Sequence, residues 1–163
     1  YSPQGLAPAA LAEIRRLKSR MESERLPRGI EPQLHFKLGP GGLSDVEWVV
    51  QILQMQHAHA MPALRTPRTL DALRKAAELG VIDTADAATL EAAWLLATRV
   101  RNMVMLVRGR AGETLPTDVL QLSQVAAALG YGQRAGQQLR EDYLRTMRRS
   151  RAVTMRLLYG EPS

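Results

Sequence analysis

A stripe of apolar residues, Leu90, Ala93, Trp94, Ala97, Val100, Val104 and Val107, runs at helical spacing without a glycine or proline and constrains this chain more than any other feature. At 1.5 Å per residue, the helix it predicts, opened by Asp83 or Thr84 and closing at Arg108, is about 38 Å long, the width of a small domain. Such a helix needs partners, and the rest of the chain supplies them. Leu11, Ile14, Leu17 and Met21 predict an amphipathic helix from Pro8 to Glu24, stopped by Leu26-Pro27-Arg28-Gly29. From Ser44 to His59, Val46, Val49, Val50 and Leu53 fall on one line and Trp48, Ile52 and Met55 on another, which suits the centre of a bundle. A short third helix opens at Arg68 or Thr69 and ends at Gly80, and a fifth begins at Thr117 or Asp118 and turns Val119, Leu122, Val125, Ala126 and Leu129 inward. The last, from Gln133 to Leu158, buries Leu139, Tyr143, Met147 and Leu157. Leu34-His35-Phe36-Lys37 is expected as a short extended piece. The fold class is therefore all-α, a single bundle of about six helices over residues 1–163, with the second and fourth helices as the core pair.

The chemically interesting stretch is Lys37-Leu-Gly-Pro-Gly-Gly-Leu-Ser-Asp45-Val-Glu47. Gly39, Gly41 and Gly42 permit tight or left-handed backbone and close approach of another group. Ser44 followed by Glu47 has the capping-box spacing. Amides at a helix start attract anions, and Lys37 would add a point charge there. Asp45 and Glu47 either complement the helix dipole or orient Lys37 and water around a magnesium ion. No Gly-Lys-Ser/Thr follows the glycines, so this is not a P-loop, and a well-made loop-to-helix junction accounts for the same residues.

Taken with Gln51, Leu53, Gln54 and His57, that stretch resembles the segment following the nucleotidyltransferase fold in glutamine synthetase adenylyltransferases. A similar Gly-Pro-Gly-Gly-Leu string occurs in PII uridylyltransferases, while the Asp-Val-Glu-Trp-Val-Val-Gln continuation resembles the adenylyltransferases. The resemblance extends through Pro62 to Arg65, Gly80-Val81-Ile82, the Leu90 to Arg101 helix, Leu115-Pro116 and Ala128 to Tyr131. It implies a helical domain that supports ATP-dependent transfer of AMP to a tyrosine of glutamine synthetase in nitrogen regulation. It also implies ATP and Mg2+ as cofactors of the intact enzyme, and glutamine synthetase, the PII signal protein and an upstream nucleotidyltransferase domain as partners. The family's catalytic Gly-Ser and Asp-x-Asp signatures do not occur here, and the chain starts at Tyr1. The expectation is a non-catalytic fragment of a multifunctional enzyme, with no catalytic residue of its own. Ser44-Asp45 and the Glu161-Pro-Ser163 tail resemble the C-terminal of the family's two units. The implied nucleotide-facing residues are Lys37, Gly39, Gly41, Gly42, Asp45 and Glu47, with Arg99 and Arg101 as further contacts to phosphate or a partner. The alternatives are a uridylyltransferase-like helical domain or a stand-alone bundle that binds protein or nucleic acid.

Composition narrows these alternatives. With no cysteine there is no disulfide or thiolate metal site, which fits the cytoplasm. No apolar run approaches the roughly 18 to 20 residues of a membrane span, and no signal-peptide pattern is present. His57 and His59, two apart on a helix, diverge too far to share a metal, so none is expected. Trp48 and Trp94 sit in apolar stripes and are expected in the core. The net charge is +6, with arginines concentrated near both ends. If the terminal helices lie side by side, they would form a basic face. Interleaved carboxylates and only two tryptophans, four tyrosines and one phenylalanine disfavour nucleic acid as its partner.

Overall fold

The computed structural model describes residues 6–160, so Tyr1 and the Glu161-Pro-Ser163 tail lie outside the described residues. Six helices follow in chain order: α1 (Pro8–Arg25), α2 (Leu43–His57), α3 (Thr69–Glu78), α4 (Thr84–Arg108), α5 (Val119–Ala128) and α6 (Ala135–Tyr159). Single 3₁₀ turns, Pro32–Leu34 and Pro62–Leu64, precede α2 and α3. The expected extended piece is reduced to one antiparallel pairing of His35 with Thr114, and among the described residues there is no strand.

The ends of α4 follow from local chemistry. Asp83 accepts from the amides of Ala85 and Asp86 at 2.8 and 3.2 Å, and Gly109 closes the far end in the left-handed region at φ 71°. Antiparallel to α4 runs α6, which also packs on α2 and α5. The central pair is therefore α4 and α6, not the second and fourth helices. Only these two have the length to serve both halves of the core. In one half, Ala97, Val100 and Val104 meet Leu139, Tyr143 and Met147, together with Leu34, Phe36, Leu115 and Val125. In the other, Ala87 and Leu90 meet Val153 and Leu158, with Val46, Val49, Leu64 and Leu73. Trp94 packs against both halves and Trp48 against the second, each half-buried.

Several inward assignments differ, among them Leu129, which is only half-buried. Val119 is 79% exposed, because Asp118 caps α5 and leaves the first helical residue pointing out; Leu122, Val125 and Ala126 are the buried face. On α6, Leu158 is buried and Leu157 only half-buried. On α1, Leu17 is 49% exposed and the next residue, Lys18, is buried at 1%. The inward line is Leu11, Ile14, Lys18 and Met21, an equally good helical spacing with a cation at its centre.

Candidate functional site

The glycine-rich segment closes on itself. The Leu43 amide donates to the Phe36 carbonyl at 3.0 Å, Ser44 to Lys37 at 2.9 Å, Gly42 to Gly39 at 3.0 Å and Gly39 to His35 at 3.1 Å. Gly42, rather than Ser44, is the residue preceding α2, and no side chain caps it. The Ser44 and Glu47 capping box is thus replaced by a pairing one turn earlier. Gly41 donates its amide to Asp45 Oδ2 at 2.6 Å. All three glycine amides and the first two amides of α2 are therefore donated within the chain, so the anion-facing amides expected of this segment are already committed.

The glycines serve another purpose. Gly41 has φ +78°, and a Cβ there would lie 2.1 Å from the Met147 carbonyl oxygen; at Gly39 and Gly42 it would strike the carbonyls of Pro32 and Phe36. The turn is thus pressed against α6, where the Ser150 hydroxyl donates to the Gly41 carbonyl at 2.8 Å.

Asp45 is the polar centre of this contact. It is 1% exposed, and Lys18 Nζ donates to Oδ1 at 2.6 Å while Arg151 Nη1 lies 2.9 Å from Oδ2. Glu22 accepts from both Lys18 and Arg151. Burial by itself would raise the Asp45 carboxyl, but the two cations and the Gly41 amide outweigh it and hold the group below its ordinary range. A neighbouring buried group, His35, accepts from the Leu38 amide through Nδ1 at 2.9 Å, which requires neutral imidazole. Burial lowers its pKa, with Glu113 opposing and Lys37 reinforcing the shift.

Two grooves flank the turn. One, about 240 Å³, lies between α1 and the start of α2 and brings together Lys37, Glu47, Trp48 and Gln51 with Arg25 and Glu22. The other, about 580 Å³, lies between the tip of the turn and α6. The Lys37 side chain is exposed and forms no hydrogen bond or ion pair among the described residues. Of the six residues of this segment singled out from the sequence, Lys37 and Glu47 share the smaller groove, whereas Gly39, Gly41, Gly42 and Asp45 are buried and line neither groove. Arg99 and Arg101 are exposed on α4, and Arg99 acts electrostatically on Tyr131 beside α6, so neither lines either groove. Lys18, Arg151 and Ser150 were the residues sequence reasoning missed. The signal for Lys18 was its place inside the apolar line of α1.

The terminal helices meet through two side-chain contacts, Arg151 to Glu22 at 3.1 Å and Ser19 to Tyr159 at 3.1 Å. Much of their positive charge is consumed internally, since Arg156 also pairs with Asp86 at 2.6 Å. A magnesium ion does not fit Asp45. Both carboxylate oxygens are taken by the Gly41 amide and two cations, which would repel a divalent ion. Among the described residues no group of three or more His, Asp or Glu side chains is arranged to hold a metal.

Comparison with known proteins extends this picture. Residues 11–158 match the family model described as GlnD PII-uridylyltransferase. Bifunctional glutamine synthetase adenylyltransferase/adenylyl-removing enzymes are similar over nearly the whole chain. That of Streptomyces coelicolor is 57% identical over 160 residues, 98% of this chain. Those of Streptomyces avermitilis and Cutibacterium acnes are 56% and 50% identical over 98% and 99% of it. The chain spans 16% of the length of each of these relatives. Matched from α1 to the end of α6, the chain belongs to the GlnD PII-uridylyltransferase family, as a helical domain homologous to one segment of the glutamine synthetase adenylyltransferase/adenylyl-removing enzymes.

Proposed function

We propose that this domain supports, without catalysing, the ATP-dependent transfer of AMP to a tyrosine of glutamine synthetase in the cytoplasm. In this reading it lies after a nucleotidyltransferase domain that holds ATP and Mg2+, in the C-terminal unit of the enzyme. Glutamine synthetase and the PII signal protein are the partners of the whole assembly. The observation that carries the reading is the exposed, unpaired Lys37 ammonium at a groove whose backbone is locked from behind by Asp45 and α6. A cation carried on a fixed stretch of backbone suits a reaction that depends on positioning and neutralising phosphate charge.

The small groove supports a shared site. Its volume of about 240 Å³ is below the roughly 300 Å³ of the smallest usual ligand pockets. It can cover one side of a nucleotide, and the neighbouring domain supplies the other. Lys37 then contacts phosphate, and Glu47 lines the same groove. Gly39, Gly41, Gly42 and Asp45, buried, act by fixing the direction of the turn. Arg99 and Arg101, exposed and lining neither groove, are assigned to partner contact. The test is AMP incorporation by the intact enzyme carrying Lys37→Ala. A lower rate with unchanged stability supports the assignment, and an unchanged rate rejects it.

A further inference from the structure

The larger groove has a chemistry that AMP transfer leaves unused. Along α6, Arg140, Leu144, Met147, Arg148 and Arg151 are spaced by four, three, one and three residues, so they form one stripe. At 1.5 Å per residue it is about 16 Å long. The stripe forms one wall of the 580 Å³ concavity, and Gln33, Glu31 and Pro40 at the tip of the glycine turn form the other. Its charges are unequal. Arg151 is already engaged by Asp45 and Glu22, and Arg140 makes only a long, exposed contact of 3.4 Å with Glu31. Arg148 is exposed and has no hydrogen bond or ion pair among the described residues. Between Arg140, which a ligand carboxylate would take over from Glu31, and the unpaired Arg148 lie Leu144 and Met147, with Pro40 facing them.

We propose that this groove docks an extended acidic segment of a partner protein, two carboxylates on Arg140 and Arg148 and an aliphatic side chain on Leu144, Met147 and Pro40. The spacing supports it. Arg140 and Arg148 are eight residues apart, about 12 Å along the helix. Four residues of extended chain cover about 13 Å, and side chains at positions one, three and five of such a chain face the same way. The acceptor therefore has the pattern acidic, any, aliphatic, any, acidic. A guanidinium fork binds each carboxylate through paired hydrogen bonds. A nucleotide is the poorer occupant, because no aromatic ring lines the groove to stack a base.

The probe is a fluorescein-labelled peptide, Gly-Glu-Ser-Leu-Ser-Glu-Gly, measured by polarisation with the full 163-residue chain. Binding is expected to weaken about tenfold when either the two Glu are replaced by Gln or the Leu by Ser, and about tenfold in Arg148→Glu protein. Arg149→Glu, which lies beside Thr146 in a different surface hollow, and Lys37→Ala are expected to bind the peptide as the unaltered chain does. Equal loss in Arg148→Glu and Arg149→Glu, displacement by inorganic phosphate as effective as by unlabelled peptide, or no binding at millimolar peptide would each overturn the proposal. The Lys37→Ala arm separates this outcome from that of the AMP-transfer reading.

Discussion

Arg151, midway along the second half of α6, meets Asp45 in the first turn of α2 with Nη1 at 2.9 Å from Oδ2, and Lys18 of α1 meets the same carboxylate at 2.6 Å from Oδ1. One buried carboxylate therefore ties three helices together and also accepts the Gly41 amide. For α1 this matters most, since Lys18 is its single fully buried residue. An isolated buried charge is very costly, so Lys18 is tolerated there only because Asp45 and Glu22 complete it.

Asp45→Ala is expected to destabilise the chain by about 3 to 5 kcal/mol, because it leaves Lys18 buried without its closest counter-charge. Lys18→Met costs less, since Arg151 still neutralises Asp45. Urea denaturation of the two variants checks the order. A smaller loss for Asp45→Ala than for Lys18→Met would contradict the arrangement.

Gly41 and Gly80 have nearly the same backbone, φ +78° and +73°, but only Gly41 lies against other atoms. Alanine at Gly80 therefore bears only the left-handed penalty of about 1 to 2 kcal/mol. At Gly41 the Met147 carbonyl must also move, so Gly41→Ala is expected to lose clearly more when thermal melts of the two variants are compared. Equal losses would mean that the turn is not pressed on α6.

Acid is expected to weaken the fold over two successive pH windows. The folded pKa of His35 is below the ordinary 6.5, so the unfolded chain takes up that proton first. Its contribution to stability is complete above 6.5 and is lost as pH falls from there through the folded value. Asp45 is likewise lowered from 3.8, and its contribution disappears only as pH falls from 3.8 through its folded value. NMR titration of the His35 imidazole and the Asp45 carboxyl checks both directions. A His35 midpoint above 6.5 would contradict the burial of neutral imidazole.

Tyr143 is fully buried, edge-on to Phe36 at a ring separation of 5.9 Å, and its hydroxyl has no hydrogen-bond partner. Burial pushes that hydroxyl's pKa well up. Removing it in Tyr143→Phe is expected to leave stability unchanged or raise it by about 1 kcal/mol. A lower melting temperature would reveal a partner for the hydroxyl.

Helix positions were legible because their signals are local: Asp83 at the start of α4, Gly109 at its end and the apolar line between them lie within one stretch of sequence. The register of α1 was not, because Leu17 and Lys18 both fit helical spacing and only the distant Asp45 decides which turns inward. The glycine segment was recognisable as a tight turn into a helix. Its interior role was not, because Met147 and Ser150, which press and bond it, are more than a hundred residues away in the chain. Composition likewise could not show that Arg151 and Arg156 spend their charge on Asp45 and Asp86.

The most direct measurement is the initial rate of AMP transfer from labelled ATP to glutamine synthetase by intact enzyme, unaltered or carrying Lys37→Ala, with a thermal melt of each. The predicted result is a rate at least about tenfold lower, with stability changed by no more than about 0.5 kcal/mol. An unchanged rate would contradict the assignment of Lys37 to the nucleotide and leave the turn as a packing device of the bundle.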